Sequence, residues 1–308
     1  MGTPDIAVSP LVSLIEAGHE IAAVITGADK PRGRSGEPVP TPVKAEALKR
    51  GITVLHPAKL RDPEFIEYLR SLEADAYIVV AYGRIIPKEI LDIPRYGCIN
   101  IHASLLPSLR GAAPIQWAVI DGLKQTGITT MLMDEGLDTG DIIKQYVLDI
   151  ADDETGGSLF DRLAPLAGEA IVDTLELIES GKAVRTPQGE TDTRYASMLT
   201  KEDGNIDWTR GAEELERLVR GLDPWPASYS FLNGKMVKIW KTRTVSGDSG
   251  DAAPGTVVSV EKDAILVAAG QGILAVTELQ LEGKKRLSAD ALLRGYKIEP
   301  GSRFSRER

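Results

Sequence analysis

The chain is poor in the residues that most often carry chemistry: among 308 residues there are one cysteine, three histidines and an aromatic fraction of 5%. A single thiol, Cys98, excludes a disulfide framework. Its neighbours Gly97 and Ile99 supply no cation to activate it, so a buried structural thiol in a reducing compartment is expected. No Cys/His cluster has the spacing of a zinc site, and no metal is expected. No apolar run reaches the roughly 18–20 residues of a membrane span, and the first residues lack the basic-then-apolar order of a signal peptide. A cytoplasmic protein without membrane contact is expected. No Gly-x-Gly-x-x-Gly follows a strand-like run, which weakens a dinucleotide-binding oxidoreductase.

Basic side chains are also in deficit, for a net charge of −9. The deficit is uneven: residues 1–200 hold 19 basic and 29 acidic side chains, residues 201–308 hold 17 and 16. An acidic part joined to a near-neutral one can bind RNA through a few placed cations, and ordinary surface variation accounts for the same asymmetry.

What is present is hydrophobic periodicity. Short apolar runs at Ile21–Ile25, Ile52–Leu55, Ala76–Val80, Ile99–His102 and Ile128–Met133 alternate with helical spacing at Lys44–Arg50, Pro63–Leu72 and Ile115–Ile120. A long amphipathic helix follows over Gly156–Ile178. This alternation predicts an α/β domain with a mostly parallel, doubly wound, Rossmann-like sheet over 1–181. Residues 182–200, poor in apolar side chains, read as a linker. From 201 to 308 a helix near Ala212–Leu222 gives way to short strands: Ser228–Leu232, Val237–Lys241, Gly255–Val260, Ala264–Ala268 and Leu274–Leu279. Asn233-Gly234 marks a hairpin, and the close strand spacing suggests a small barrel.

The most informative stretch is Cys98–Gly111. Asn100 and His102 lie two apart at a strand end, so an amide and an imidazole share one face where the chain breaks into a loop. A polar turn at 133–141 carries Asp138. An amide to hold an oxygen, an imidazole to move protons and a carboxylate to orient the imidazole form an acyl-transfer set. Of the other histidines, His19 follows Gly18 at a helix end and His56 precedes Pro57 in a turn, and neither has polar company.

Asn100-x-His102, Ser104-Leu105-Leu106-Pro107, Arg110-Gly111 and Leu137-Asp138-Thr139-Gly140-Asp141 resemble the folate-dependent formyltransferases. Gly2-Thr3-Pro4-Asp5, Asp29–Arg34, Ala81-Tyr82-Gly83, Gly111–Gln116, Ile206-Asp207-Trp208 and Asp223–Pro226 extend the likeness nearly end to end. The resemblance implies formyl transfer from 10-formyltetrahydrofolate, with Asn100, His102 and Asp138 catalytic and Ser104, Leu105, Leu106 and Pro107 against the folate. It implies that Lys30, Arg32 and Arg34 meet the acceptor end of methionyl initiator tRNA, in an insertion that composition alone reads as a solvated loop. The second domain, 201–308, would be a smaller OB-like β-barrel that binds tRNA, and the protein a monomer. Family members carry a short apolar strand ahead of the Gly-Thr-Pro-Asp turn with which this chain begins, so the first strand of the sheet is expected to be missing. Arg110 is left between two roles, the folate tail or local carbonyls. Lys235, Lys238, Lys241, Arg243 and Lys284–Arg286 could line an RNA face, with Trp208, Trp225 and Trp240 expected in the core.

Overall fold

A computed structural model describes residues 1–31, 37–191 and 193–308, with only the backbone of Lys30 and Pro31. The chain divides into two compact units, one of residues 1–114, 125–149 and 160–197, the other of 115–124, 150–159 and 198–308.

In chain order the elements are α1 (Val8–Glu16), β1 (Val24–Ile25), β2 (Lys30–Pro31), β3 (Pro38–Val39), α2 (Pro42–Lys49), β4 (Val54–Leu55), α3 (Pro63–Ser71) and β5 (Tyr77–Val79). There follow α4 (Lys88–Leu91), β6 (Cys98–His102), α5 (Pro114–Ile120), β7 (Gln125–Leu132), β8 (Ile142–Asp149) and α6 (Gly156–Glu179). The helix starts have local causes. Pro42 and Pro63 occupy first-turn positions, where a missing N–H costs nothing. The preceding Thr41 and Asp62 side chains accept from the backbone N–H groups of Lys44 and Glu64. At the other end of α1, Gly18 takes φ +89° and His19 N–H caps the Leu14 carbonyl, which gives His19 a purely structural place.

The first unit's sheet is mixed rather than mostly parallel. β1 pairs with β4 and β5 with β6 in parallel, whereas β7 runs antiparallel to β6, and β8 antiparallel to β7. β7 returns antiparallel to β6 after α5, and β7 and β8, eight residues each, are then joined as a hairpin by the polar turn at 133–141. β8 has no counterpart among the short apolar runs of the sequence. It is an edge strand whose residues alternate between half-buried and exposed, so it lacks the continuous apolar run of a buried strand. Among the described residues, Met1 and Gly2 bridge β1 and β5. Gly2 N–H bonds to Ile25, Val80 N–H bonds to the Met1 carbonyl, and the Met1 amine donates to the Ile78 carbonyl at 2.6 Å. Beside them lies a cavity of about 530 Å³, lined by Leu11, Leu14, Val24, Leu69, Tyr77 and Leu175 among others.

The second unit contains α7 (Ala212–Gly221), β9 (Ser228–Leu232), β10 (Lys235–Val245), β11 (Val257–Val260), β12 (Ile265–Ala268), β13 (Ile273–Leu281), β14 (Leu287–Ser288), α8 (Ala289–Leu293) and β15 (Phe304–Ser305). Its antiparallel sheet runs β11-β12-β13-β10-β9-β15, with β14 on β13. Asn233 and Gly234, at φ +51° and +73°, make the tight β9–β10 turn. Phe304 N–H bonds to the Gly255 carbonyl and Val257 N–H to Ser302, so the two ends of the sheet are tied and it curls. Trp208 fills its interior, stacked 5.5 Å from Phe304 with its indole N–H on Ser230 Oγ. Trp225 and Trp240 correct the core expectation. Trp225 is 54% exposed. Trp240 lies half-buried on the outer face of β10, with the Arg286 guanidinium 4.6 Å and Lys238 Nζ 5.5 Å from its ring. Arg286 also pairs with Glu278 and Asp223, and Arg243 with Glu261.

Candidate active site

All five residues of β6 are buried, an unusual place for Asn100 and His102 unless their polar atoms are used. They are. His102 Nε2 lies 3.1 Å from the Leu109 carbonyl, which can only accept, so Nε2 carries the proton and Nδ1 faces the other way. The turn at 133–141 leaves from the far end of β6, where Met133 N–H bonds to the Cys98 carbonyl, and folds back across the strand's face. It brings Asp138 to both residues: Oδ1 accepts from Asn100 Nδ2 at 3.4 Å, and Oδ2 lies 3.8 Å from His102 Nδ1. Oδ2 also accepts from Gly111 N–H at 2.9 Å. Three nitrogens thus converge on one carboxylate.

The expected orienting contact takes a different form. At 3.8 Å the Asp138–His102 separation is too long for a direct hydrogen bond. The Leu109 carbonyl holds the ring instead, and Asp138 is left as a charge facing Nδ1. Both holding residues are backbone-strained, Leu109 at φ +54° and Asp138 at φ +55°, values that cost a non-glycine residue about 1–2 kcal/mol.

Ser104, Leu105, Leu106 and Pro107 follow His102 after Ala103, with their backbone largely committed within the protein. Leu106 N–H donates to Thr129 Oγ1 at 3.1 Å and the Leu106 carbonyl accepts from Gln145 Nε2 at 2.8 Å. The Ser104 carbonyl accepts from Thr129, the Ser104 hydroxyl donates to Ser108, and the Leu105 carbonyl accepts from Ser108 N–H. Leu105 and Pro107 remain half-exposed. Arg110 takes the local role: its Nε and Nη2 donate to Gln188 Oε1 at 3.0 and 2.7 Å, and Nη2 to the Gly189 carbonyl. Arg32, Arg34 and the side chain of Lys30 lie outside the described residues.

Cys98 is buried at the start of β6, and burial pushes its thiol up to about 12, which makes it inert at neutral pH. The partners that sequence patterning misses are Leu109 and Gly111, which act through backbone atoms, and Gln188 and Thr193, which lie in the stretch that reads as a linker. Among the described residues no group of three His, Cys, Asp or Glu side chains is placed to hold a metal ion. No described helix is long and apolar enough to cross a membrane.

This geometry coincides with strong similarity to known proteins. Residues 1–175 match the formyl transferase family and residues 198–297 the formyl transferase C-terminal domain. The methionyl-tRNA formyltransferase of Agathobacter rectalis is 52% identical over 305 residues, covering 99% of this chain and 98% of that protein. That of Geobacter sulfurreducens is 49% identical over 304 residues, covering 99% and 95%. Among solved structures, the sugar 3N-formyl transferase WlaRD superposes with a TM-score of 0.65 at 18% identity over 92% of this chain and 97% of that one. HypX from Aquifex aeolicus, in complex with tetrahydrofolic acid, does so with a TM-score of 0.56 at 22% identity, over 83% and 45%. At these identities the two structures speak to the fold.

Proposed function

This chain belongs to the methionyl-tRNA formyltransferases and transfers a formyl group from a formyl-tetrahydrofolate to methionyl initiator tRNA; we propose that the donor is 10-formyltetrahydrofolate and that Asn100, His102 and Asp138 carry the transfer. The observation that carries the assignment of roles is the convergence of Asn100 Nδ2, His102 Nδ1 and Gly111 N on the Asp138 carboxylate.

When bound, the folate supplies an activated formyl group on a nitrogen that must gain a proton to leave. Asn100 Nδ2, held by a long 3.4 Å bond, can redirect its N–H to the formyl oxygen as negative charge develops there. His102, with Nε2–H fixed on the Leu109 carbonyl, gives and takes a proton at Nδ1. Asp138 accepts the proton that the incoming amine loses, directly or through one water. Ser104–Pro107 lies against the folate in this reading. With its carbonyls and the Leu106 N–H largely committed, it contributes the apolar surfaces of Leu105 and Pro107. Lys30, Arg32 and Arg34 meet the tRNA acceptor end. We read the first unit as Rossmann-like and the curled second sheet as an OB-like RNA-binding barrel whose Lys238 and Arg286 flank Trp240, in a protein that works as a monomer.

The test is acid-gel separation of formylated from unformylated methionyl initiator tRNA with 10-formyltetrahydrofolate as donor. His102→Ala is expected to lower the rate about 10²–10⁴-fold and Asn100→Ala about 10²–10³-fold. Wild-type rates in His102→Ala would remove the site assignment. An enzyme that consumes the folate and never modifies the tRNA would overturn the acceptor.

A further inference from the structure

The described residues of the stretch 186–196, all but residue 192, lie outside helices and longer strands, are mostly exposed and read compositionally as a linker. Yet polar atoms of Gln188, Thr193 and Ala196 are spent on the loops that surround His102 and Asp138. Gln188 is the clearest case. Its Nε2 donates to the Asp138 carbonyl at 2.9 Å and to the Gly140 carbonyl at 2.7 Å, while its Oε1 accepts Nε and Nη2 of Arg110. A primary amide has two donor hydrogens and two acceptor lone pairs, and all four are used. The amide therefore clasps the turn that carries Asp138 to the loop that carries Leu109, Arg110 and Gly111. Further along, Thr193 Oγ1 accepts Leu109 N–H at 2.9 Å. The Ala196 carbonyl accepts Ala112 and Ala113 N–H, and Ala196 N–H returns to the Arg110 carbonyl.

The two residues tied in this way, Asp138 and Leu109, are the two non-glycine residues of the site in the left-handed region. Such backbone persists only where its surroundings over-determine it. Asp138 offers its carboxylate to Asn100, Gly111 and the imidazole, and Leu109 offers its carbonyl to His102 Nε2. The ties to Asp138 and Leu109 are each on the backbone of a residue whose other end sets the geometry of a reacting group.

We propose that Gln188, Thr193 and Ala196 form a positioning strap for formyl transfer, in which Gln188 holds Asp138 and Thr193 holds Leu109, so that Gln188 is a positioning residue of the reaction. The inference rests on the reading of His102 and Asp138 as reacting groups. It predicts that loosening the strap lowers the chemical rate and leaves substrate binding nearly intact, because none of these strap atoms is among the groups assigned to folate or tRNA.

Gln188→Glu separates positioning from mere tethering. The carboxylate keeps the shape and pairs with Arg110 by charge, so the strap stays tied. It has no hydrogen to give, and it sets a negative oxygen against the Asp138 and Gly140 carbonyls. We expect the single-turnover formylation rate of Gln188→Glu to fall about 10–100-fold, as for a reacting group misplaced by about 1 Å or deprived of its outer support. The KM values for methionyl-tRNA and 10-formyltetrahydrofolate should stay within about two-fold, with the thermal midpoint within a few degrees of wild type. Gln188→Leu should lose rate similarly. Thr193→Val, which frees Leu109 N–H and the Thr191 hydroxyl but leaves Gln188 in place, keeps the test open if either Gln188 variant does not fold. A normal rate in Gln188→Glu and Thr193→Val, or a loss confined to KM, overturns the inference. His102→Ala is measured alongside: its inactivity beside a fully active Gln188→Glu sinks the strap alone, whereas its full activity sinks the site reading.

Discussion

Gly111→Ala is the substitution whose cost the structure specifies most closely. Gly111 has φ +124°, outside the range that L residues readily adopt. A Cβ placed there would stand 2.5 Å from the Ala196 carbonyl oxygen and 2.9 Å from the Tyr195 ring carbon Cζ. The tyrosine ring can swing away. The carbonyl cannot, because it accepts hydrogen bonds from Ala112 at 2.7 Å and Ala113 at 3.1 Å. Backbone strain of about 1–2 kcal/mol adds to about 1–3 kcal/mol for forcing extra volume into a packed contact. A total loss of about 2–5 kcal/mol follows. The displacement also pulls Gly111 N–H from its 2.9 Å bond to Asp138 Oδ2, and with Asp138 in the role proposed for it a shift of about 1 Å there costs on the order of 10²-fold in rate. Gly234→Ala is the control: φ is +73° with nothing within 4 Å, so strain alone of about 1 kcal/mol is expected, with no change in rate. Urea unfolding and single-turnover formylation on both variants give the answer. A Gly111→Ala protein within 1 kcal/mol of wild type and equally active would refute the argument that this glycine is required by close backbone approach.

Two further expectations concern titrating groups. The Cys98 thiol, pushed by burial from an ordinary value of 9.0 up to about 12, should react with a maleimide about a thousand-fold more slowly than a free thiol at pH 8, and normally once urea unfolds the chain. Alkylation of the native protein at the free-thiol rate would contradict the buried position. Lys144 and then Tyr146 hold the Asp173 carboxyl below its ordinary value of 3.8. The unfolded chain then binds more protons in that range, so Asp173 contributes stability above about pH 4 that is lost as pH falls through its folded value. Asp173→Asn should be less stable than wild type at pH 7, with the gap closing in strong acid; a gap independent of pH would show that the charge is not the cause.

Much of this molecule was legible in the order of its residues because the signals are local. Helices at Pro42–Lys49 and Pro63–Ser71 follow from side-chain caps with proline in the first turn, and the β9–β10 hairpin from Asn233-Gly234, where φ is positive at both positions. Asn100 and His102 share a face because a strand repeats every two residues. The parallel reading failed at β7 and β8, because pairing direction is not carried by one strand's pattern. Trp225 and Trp240 were misplaced because apolar character predicts burial only on average, and each keeps its ring at the surface.

The sequence by itself determined which groups could do chemistry: a scarce histidine, an amide two residues before it, and a polar turn with a carboxylate. Only the tertiary structure decided how they are held. His102 is oriented by a backbone carbonyl rather than by Asp138, the Asp138 carboxylate is fixed by Gly111 N–H, and Gln188 reaches across 50 residues of chain to clasp the Asp138 turn. Backbone donors and acceptors are the same at every position, so their roles appear only when folding brings distant segments within about 3 Å of each other.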